Sequence, residues 1–99
     1  MYKDIIKYEL AEGITESHLL EVAKEVVADW MSKQEGFQGW KITKDQDGNF
    51  VDIVYWDSEM AAKKSQTEMG NIPNAEAWFA CYKSGSIKSD NLNVLKRFV

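Results

Sequence analysis

Phe50-Val-Asp-Ile-Val-Tyr-Trp56-Asp-Ser-Glu-Met-Ala-Ala62 reads as a strand that runs straight into a helix. On the two-residue strand period Val51, Ile53 and Tyr55 share one face, and Phe50, Asp52, Val54 and Trp56 share the other. Both faces are largely apolar, so both should be covered and the strand should be central in its sheet. Asp57 or Ser58 can accept hydrogen bonds from the first free N–H groups of the helix that follows, which is expected over roughly Ser58 to Thr67.

Upstream, Asp4 to Leu10 alternates as a first strand, with Ile6, Tyr8 and Leu10 on its apolar side and Ile5, Lys7 and Glu9 on a mixed side. Thr15 is a good N-cap, with Ile14 and Leu19 placed as a hydrophobic staple across it. Leu19, Val22, Ala23, Val26, Val27 and Trp30 then recur at helical intervals through about Lys33. Gly36 and Gly39 end the helix, Trp40 to Lys44 is a second strand, and Asp47-Gly48 is a hairpin signal leading into the opening stretch. Downstream, Met69 to Asn74 is a break around Pro73, Ala75 to Tyr82 a short helix, and Leu92 to Phe98 a fourth strand.

The order β-α-β-β-α-β is the ferredoxin-like pattern of an α+β fold, a four-stranded antiparallel sheet with helices on one face, and residues 1–99 form a single domain. Its second sheet face is left bare. That face is expected to carry Phe50, Val54 and Trp56, and a bare apolar face calls for a partner, so the expectation is a homodimer in which two sheets pack face to face.

Composition narrows the function. The formal charge is −4 and the basic residues are scattered, which argues against nucleic acid as a partner. Cys81 is the single cysteine and cannot form an intrachain disulfide, and no metal-ligand spacing occurs. The start carries an acid and no long apolar run, so neither a signal peptide nor a membrane span is expected, and the simplest location is the cytoplasm.

His18 is the only histidine and falls in the first turn of the long helix, where it reads as an exposed residue without a catalytic role. Cys81 reads as a small buried hydrophobe. Asp52 is an acid in an apolar central strand; buried carboxylates need a partner, and a Lys7–Asp52 pair on the inter-sheet face, fixing dimer register, is preferred over a catalytic role. Tyr8, Tyr55, Trp30, Trp78, Phe79 and Tyr82 can converge between sheet and helices, either as core or as the wall of a pocket for a planar apolar ligand.

The early strand, the long helix, Gly36-Phe37, the Asp47-Gly48 hairpin and Val51 to Ala62 together resemble the antibiotic biosynthesis monooxygenase-like domains of the dimeric α+β barrel superfamily, over nearly the whole chain. The resemblance implies a ligand pocket between sheet and helices, with some members oxidising aromatic polyketides by oxygen without metal or flavin, and others opening the haem ring. The haem-degrading pattern needs an Asn in strand one, a Trp and a helical His; here strand one offers Ile6 and Tyr8, Trp78 can stand for the Trp, and no His follows it. Close relatives often carry a His near the start of the last strand, where this chain has Asp90-Asn91. The implied function is binding and oxidation of a small aromatic quinol or phenol as a cofactor-independent monooxygenase. In that reading Tyr55 and Tyr82 handle protons and Trp78 is a stacking wall, beside Tyr8, Trp30 and Phe79 as ligand contacts. A non-catalytic binding or sensing dimer on the same scaffold is the alternative, and a structural dimer whose aromatics only fill the core is a third. The first two require a cavity; the third has none.

Overall fold

A computed structural model describes residues 1–98. Strands β1 (Tyr2–Tyr8), β2 (Phe37–Lys44), β3 (Phe50–Trp56) and β4 (Lys88–Asn93) form one antiparallel sheet in the order β2-β3-β1-β4. Helices α1 (Glu16–Asp29), α2 (Glu59–Thr67) and α3 (Ala75–Phe79) cross one face of it. As the strand-to-helix stretch implies, β1 and β3 are the central pair.

Local chemistry sets the helix starts. The Thr15 hydroxyl accepts from His18 N–H at 3.1 Å, and the Ser58 hydroxyl accepts from Ala61 N–H at 3.2 Å, so Ser58 rather than Asp57 caps α2. The long helix is shorter than its hydrophobic period suggests. It stops at Asp29, Trp30 leaves helical geometry, and Met31–Lys33 tighten into a 3₁₀ turn. In the hairpin, Asp45 Oδ1 accepts from the N–H groups of Asp47 and Asn49, and Gly48 supplies a φ of +84°.

Three expectations need correction. The faces of β3 are reversed: Phe50, Asp52, Val54 and Trp56 are buried beneath the helices, whereas Val51, Ile53 and Tyr55 face the open side and are only half-buried. Alternation could not decide this, since both faces are apolar. The Lys7–Asp52 pair does not form. Lys7 pairs with Asp45 at 3.4 Å on the open side, while Asp52, 1% exposed, accepts from the Tyr8 hydroxyl at 2.9 Å. The phenol of the neighbouring strand, rather than a cation, is the partner that the carboxyl group finds inside the core. Strand β4 starts at Lys88 and ends at Asn93, four residues ahead of the expected Leu92. Its place is set by pairing with β1, Lys7 against Lys88 through Tyr2 against Asn93, and the strand is exposed along its length, so burial leaves no alternation to read.

Candidate functional site

The helix face of the sheet does not close completely on the helices. A cavity of about 410 Å³ lies between them. Its floor is Asp4 and Ile6 of β1, Val54 and Trp56 of β3, and Ser89 of β4; Trp30 and Met31 close one side, Ala62, Ser65 and Gln66 of α2 and Met69 another, and Trp78, Phe79, Tyr82 and Ile87 the rest.

The aromatic wall is held by its own contacts. Trp78 meets Trp40 edge-to-face at 5.1 Å and Tyr82 at 5.0 Å, and Tyr82 meets Tyr8 at 4.5 Å with nearly perpendicular planes. Each such pair adds about 0.5–1.5 kcal/mol beyond burial, so the cavity side of Trp78 is fixed before any ligand arrives.

Polar groups are few and specific. Asp4 is 6% exposed, and burial pushes its carboxyl above the ordinary carboxylate range, although the Trp56 indole draws it back in part without reaching hydrogen-bond geometry. Asn91, opposite Asp4 on β4, reaches Asp4 Oδ1 at 3.0 Å with its amide turned to donate. Tyr82 lines the same cavity, and burial, reinforced by the charge of Asp52, raises its phenol so far that it stays protonated. Asp52 sits one strand row away, outside the lining. Burial pushes it up to about 7 against the opposing pull of Tyr8 and Trp40, and its Oδ2 and the Trp40 Nε1 have no hydrogen-bond partner among the described residues.

Of the residues singled out from sequence, Trp30, Trp78, Phe79 and Tyr82 come together at this cavity. Tyr8 lies behind the wall, packed on Phe50 and Tyr82 and bonded to Asp52. Tyr55 does not join them. It is on the opposite sheet face, with the Lys41 ammonium 5.7 Å from its ring centre. The sequence reading missed Asp4 and Trp56. The signal for Asp4 was present, since it shares strand parity with Ile6 and Tyr8 and is therefore an acid on the apolar side of β1. Among the described residues no group of histidine, cysteine and carboxylate side chains is arranged to hold a metal, and no helix is long and apolar enough to cross a membrane.

The sheet order and the helices on one face make the α+β fold of antibiotic biosynthesis monooxygenase-like proteins, and solved structures share it. SnoaB, a cofactor-independent oxygenase from Streptomyces nogalater, superimposes with a TM-score of 0.75 at 15% identity, covering 97% of this chain and 94% of that one. The monooxygenase from the gene ActVA-Orf6 of Streptomyces coelicolor, in complex with nanaomycin D, gives a TM-score of 0.67 at 18% identity over 99% and 90% of the two chains. A protein from Chloroflexus aurantiacus, provisionally assigned as an antibiotic biosynthesis monooxygenase, gives 0.71 at 15% identity over 99% and 96%. No family model and no curated protein matches the sequence. At these identities the likeness is one of fold.

Proposed function

We propose that the cavity binds a small planar aromatic compound, a quinol or an anthrone-like phenol, and that the protein oxidises it with molecular oxygen and no cofactor. The observation that carries this reading is the meeting of Trp30, Trp56 and Trp78 with one raised carboxyl, Asp4, in a largely apolar space. Its kinship in fold with an oxygenase named as cofactor-independent and with a monooxygenase holding nanaomycin D supports it.

Without a metal or flavin the substrate itself must supply the electrons. Asp4, as carboxylate, takes a proton from a ring methylene flanked by aromatic carbons, and the resulting anion passes one electron to oxygen. The radical pair couples to a C–O bond, Asp4 returns its proton to the peroxide, and loss of hydroxide together with the second C–H proton gives the carbonyl and water. The balance is CH₂ plus O₂ giving C=O plus H₂O. A base close in pKa to the working pH is best suited to the first step, and burial moves Asp4 in that direction. In this reading Tyr82, held protonated, donates a hydrogen bond to the peroxide oxygen. The indoles orient the ring and exclude water.

Oxygen uptake with an anthrone, in parallel with thermal unfolding against quinols, polycyclic phenols and haem, tests the proposal. The expected result is a Tm rise with phenols but not haem, and uptake that falls by about 10²–10⁴ in Asp4→Asn. A Tm rise without uptake would leave a binding or sensing protein on the same scaffold. No shift with any phenol refutes the ligand class.

A second copy of the chain is the proposed cover for the open sheet face, where Ile5, Val51, Ile53 and Tyr55 are half-buried and Leu92 is exposed. A monomer at micromolar concentration by light scattering would remove that part.

A further inference from the structure

The open face carries a second cavity of about 570 Å³, and its chemistry is the reverse of the first. It is lined by Met1, Lys3, Gln38, Lys41, Tyr55, Val94, Lys96 and Arg97. Four of those eight residues are cationic and none is acidic, in a chain with 16 acidic against 12 basic residues. Elsewhere the pattern differs: Lys7, Lys44, Lys63, Lys64 and Lys83 each pair with a carboxylate. Lys3, Lys41, Lys96 and Arg97 form no such pair among the described residues.

Two elements bring the charges together. Lys3 and Lys41 project from β1 and β2 on either side of Tyr55 in β3, as the register pairs Lys3 with Tyr55 and Lys41 with Ile53. The segment after β4 brings Lys96 and Arg97, anchored where Val94 N–H donates to the Met1 carbonyl at 2.9 Å. The Gln38 amide is turned away to donate to Asp57, so Tyr55 is the neutral side chain left to offer a hydrogen bond.

Like charges converge at a cost unless something neutralises them, and here no residue of the cavity does. We propose that this cavity is a binding site for a small multivalent anion, of the phosphate-ester or polycarboxylate class. Arg97 offers a planar fork and the lysines point charges, a combination suited to several oxygens at once. The site is on the opposite sheet face from the aromatic cavity and does not depend on the oxidation chemistry. If two copies stack through this face, each would bring its cations toward the other, and a bound anion would offset that repulsion.

Titration calorimetry of the full chain with inorganic diphosphate and, separately, citrate, each at matched ionic strength, tests the site. Saturable binding is expected, about tenfold weaker in Lys41→Ala and again in Arg97→Ala, with loss of one charge-assisted contact in each. Lys88→Ala, which removes an exposed cation outside the lining, should bind as the wild type does. Preference for diphosphate assigns phosphate chemistry and preference for citrate assigns polycarboxylates; either supports the site. Heat reproduced by sodium chloride at the same ionic strength, or equal affinity in all three variants, overturns it. The quinol assays are unaffected by either outcome.

Discussion

Replacing Asp52 by Asn should stabilise the protein, and more so as the pH rises. In the folded chain burial holds this carboxyl up to about 7, against 3.8 in the unfolded chain. The folded state therefore keeps a proton that the unfolded state has released, and stability falls as pH rises from the unfolded value to the folded one, levelling off above about 7. Integrating the linkage gives a loss of about 2–3 kcal/mol between about pH 5 and about pH 8, and about 4 kcal/mol over the whole window. For a domain near 100 residues the first figure corresponds to a fall in Tm of about 10–20 °C. An amide carries no charge to bury. Its oxygen can accept from Trp40 Nε1, now without a partner, and its NH₂ can donate to the Tyr8 hydroxyl, so the network is preserved in reverse. Urea unfolding of both proteins across this range is the assay. The wild type should lose stability with pH and the variant should lack that slope, so the two curves diverge on the alkaline side. Parallel curves, or a variant weaker at every pH, would refute the reasoning and show that the ionised carboxylate is itself a structural necessity.

Three further outcomes follow from the same geometry. Asn91→Ala removes a donor from Asp4, so the carboxyl should rise further and the acidic limb of the oxidation pH profile should move to higher pH. Tyr55→Phe should leave phenol-induced Tm shifts unchanged, because Tyr55 lies across the sheet from the aromatic cavity; a lost shift would place the ligand on the open face. Gly36→Ala should cost about 2–4 kcal/mol in urea unfolding, since Gly36 has a φ of +83° and a Cβ there would stand 2.6 Å from Ala61 Cβ.

What was legible in the sequence, and what was not, divides along physical lines. Helix starts and the hairpin are set by neighbours in the chain, and Thr15, Ser58 and Gly48 carry them in plain view. The order of elements follows from those, and with it the two central strands. Side-chain parity in β3 is a different kind of fact. Val51, Ile53 and Tyr55 are as apolar as Phe50, Val54 and Trp56, and the one polar residue, Asp52, points inward because Tyr8 meets it there. No local rule for an isolated strand anticipates a carboxyl group carried into the core against its own desolvation. The same error moved Tyr55 into the cavity and Trp56 out of it. Strand β4 failed for another reason: an edge strand exposed throughout has no burial to imprint a period, so Leu92 and Val94 suggested a strand several residues late.

Asp4 and Asp52 together show why function is read from environment rather than from residue type. Both are carboxylates on the helix face of adjacent central strands, and both are raised by burial. Their partners separate them. Asp52 is enclosed by Tyr8, lies apart from the lining of the aromatic cavity, and can exchange its proton only at the expense of the core around it. Asp4 lines that cavity, is steadied from β4 by Asn91, and faces a space large enough for a ring system. A proton taken by Asp4 can come from a bound molecule; one taken by Asp52 changes only the stability of the fold. The two variants should thus separate cleanly, Asp4→Asn losing oxygen uptake with little change in the pH dependence of unfolding beyond its own titration, and Asp52→Asn flattening that dependence while uptake persists. If Asp52→Asn abolished uptake in a folded protein, the proton path would have to run through Tyr8 and Tyr82, and the assignment of the base to Asp4 would fall.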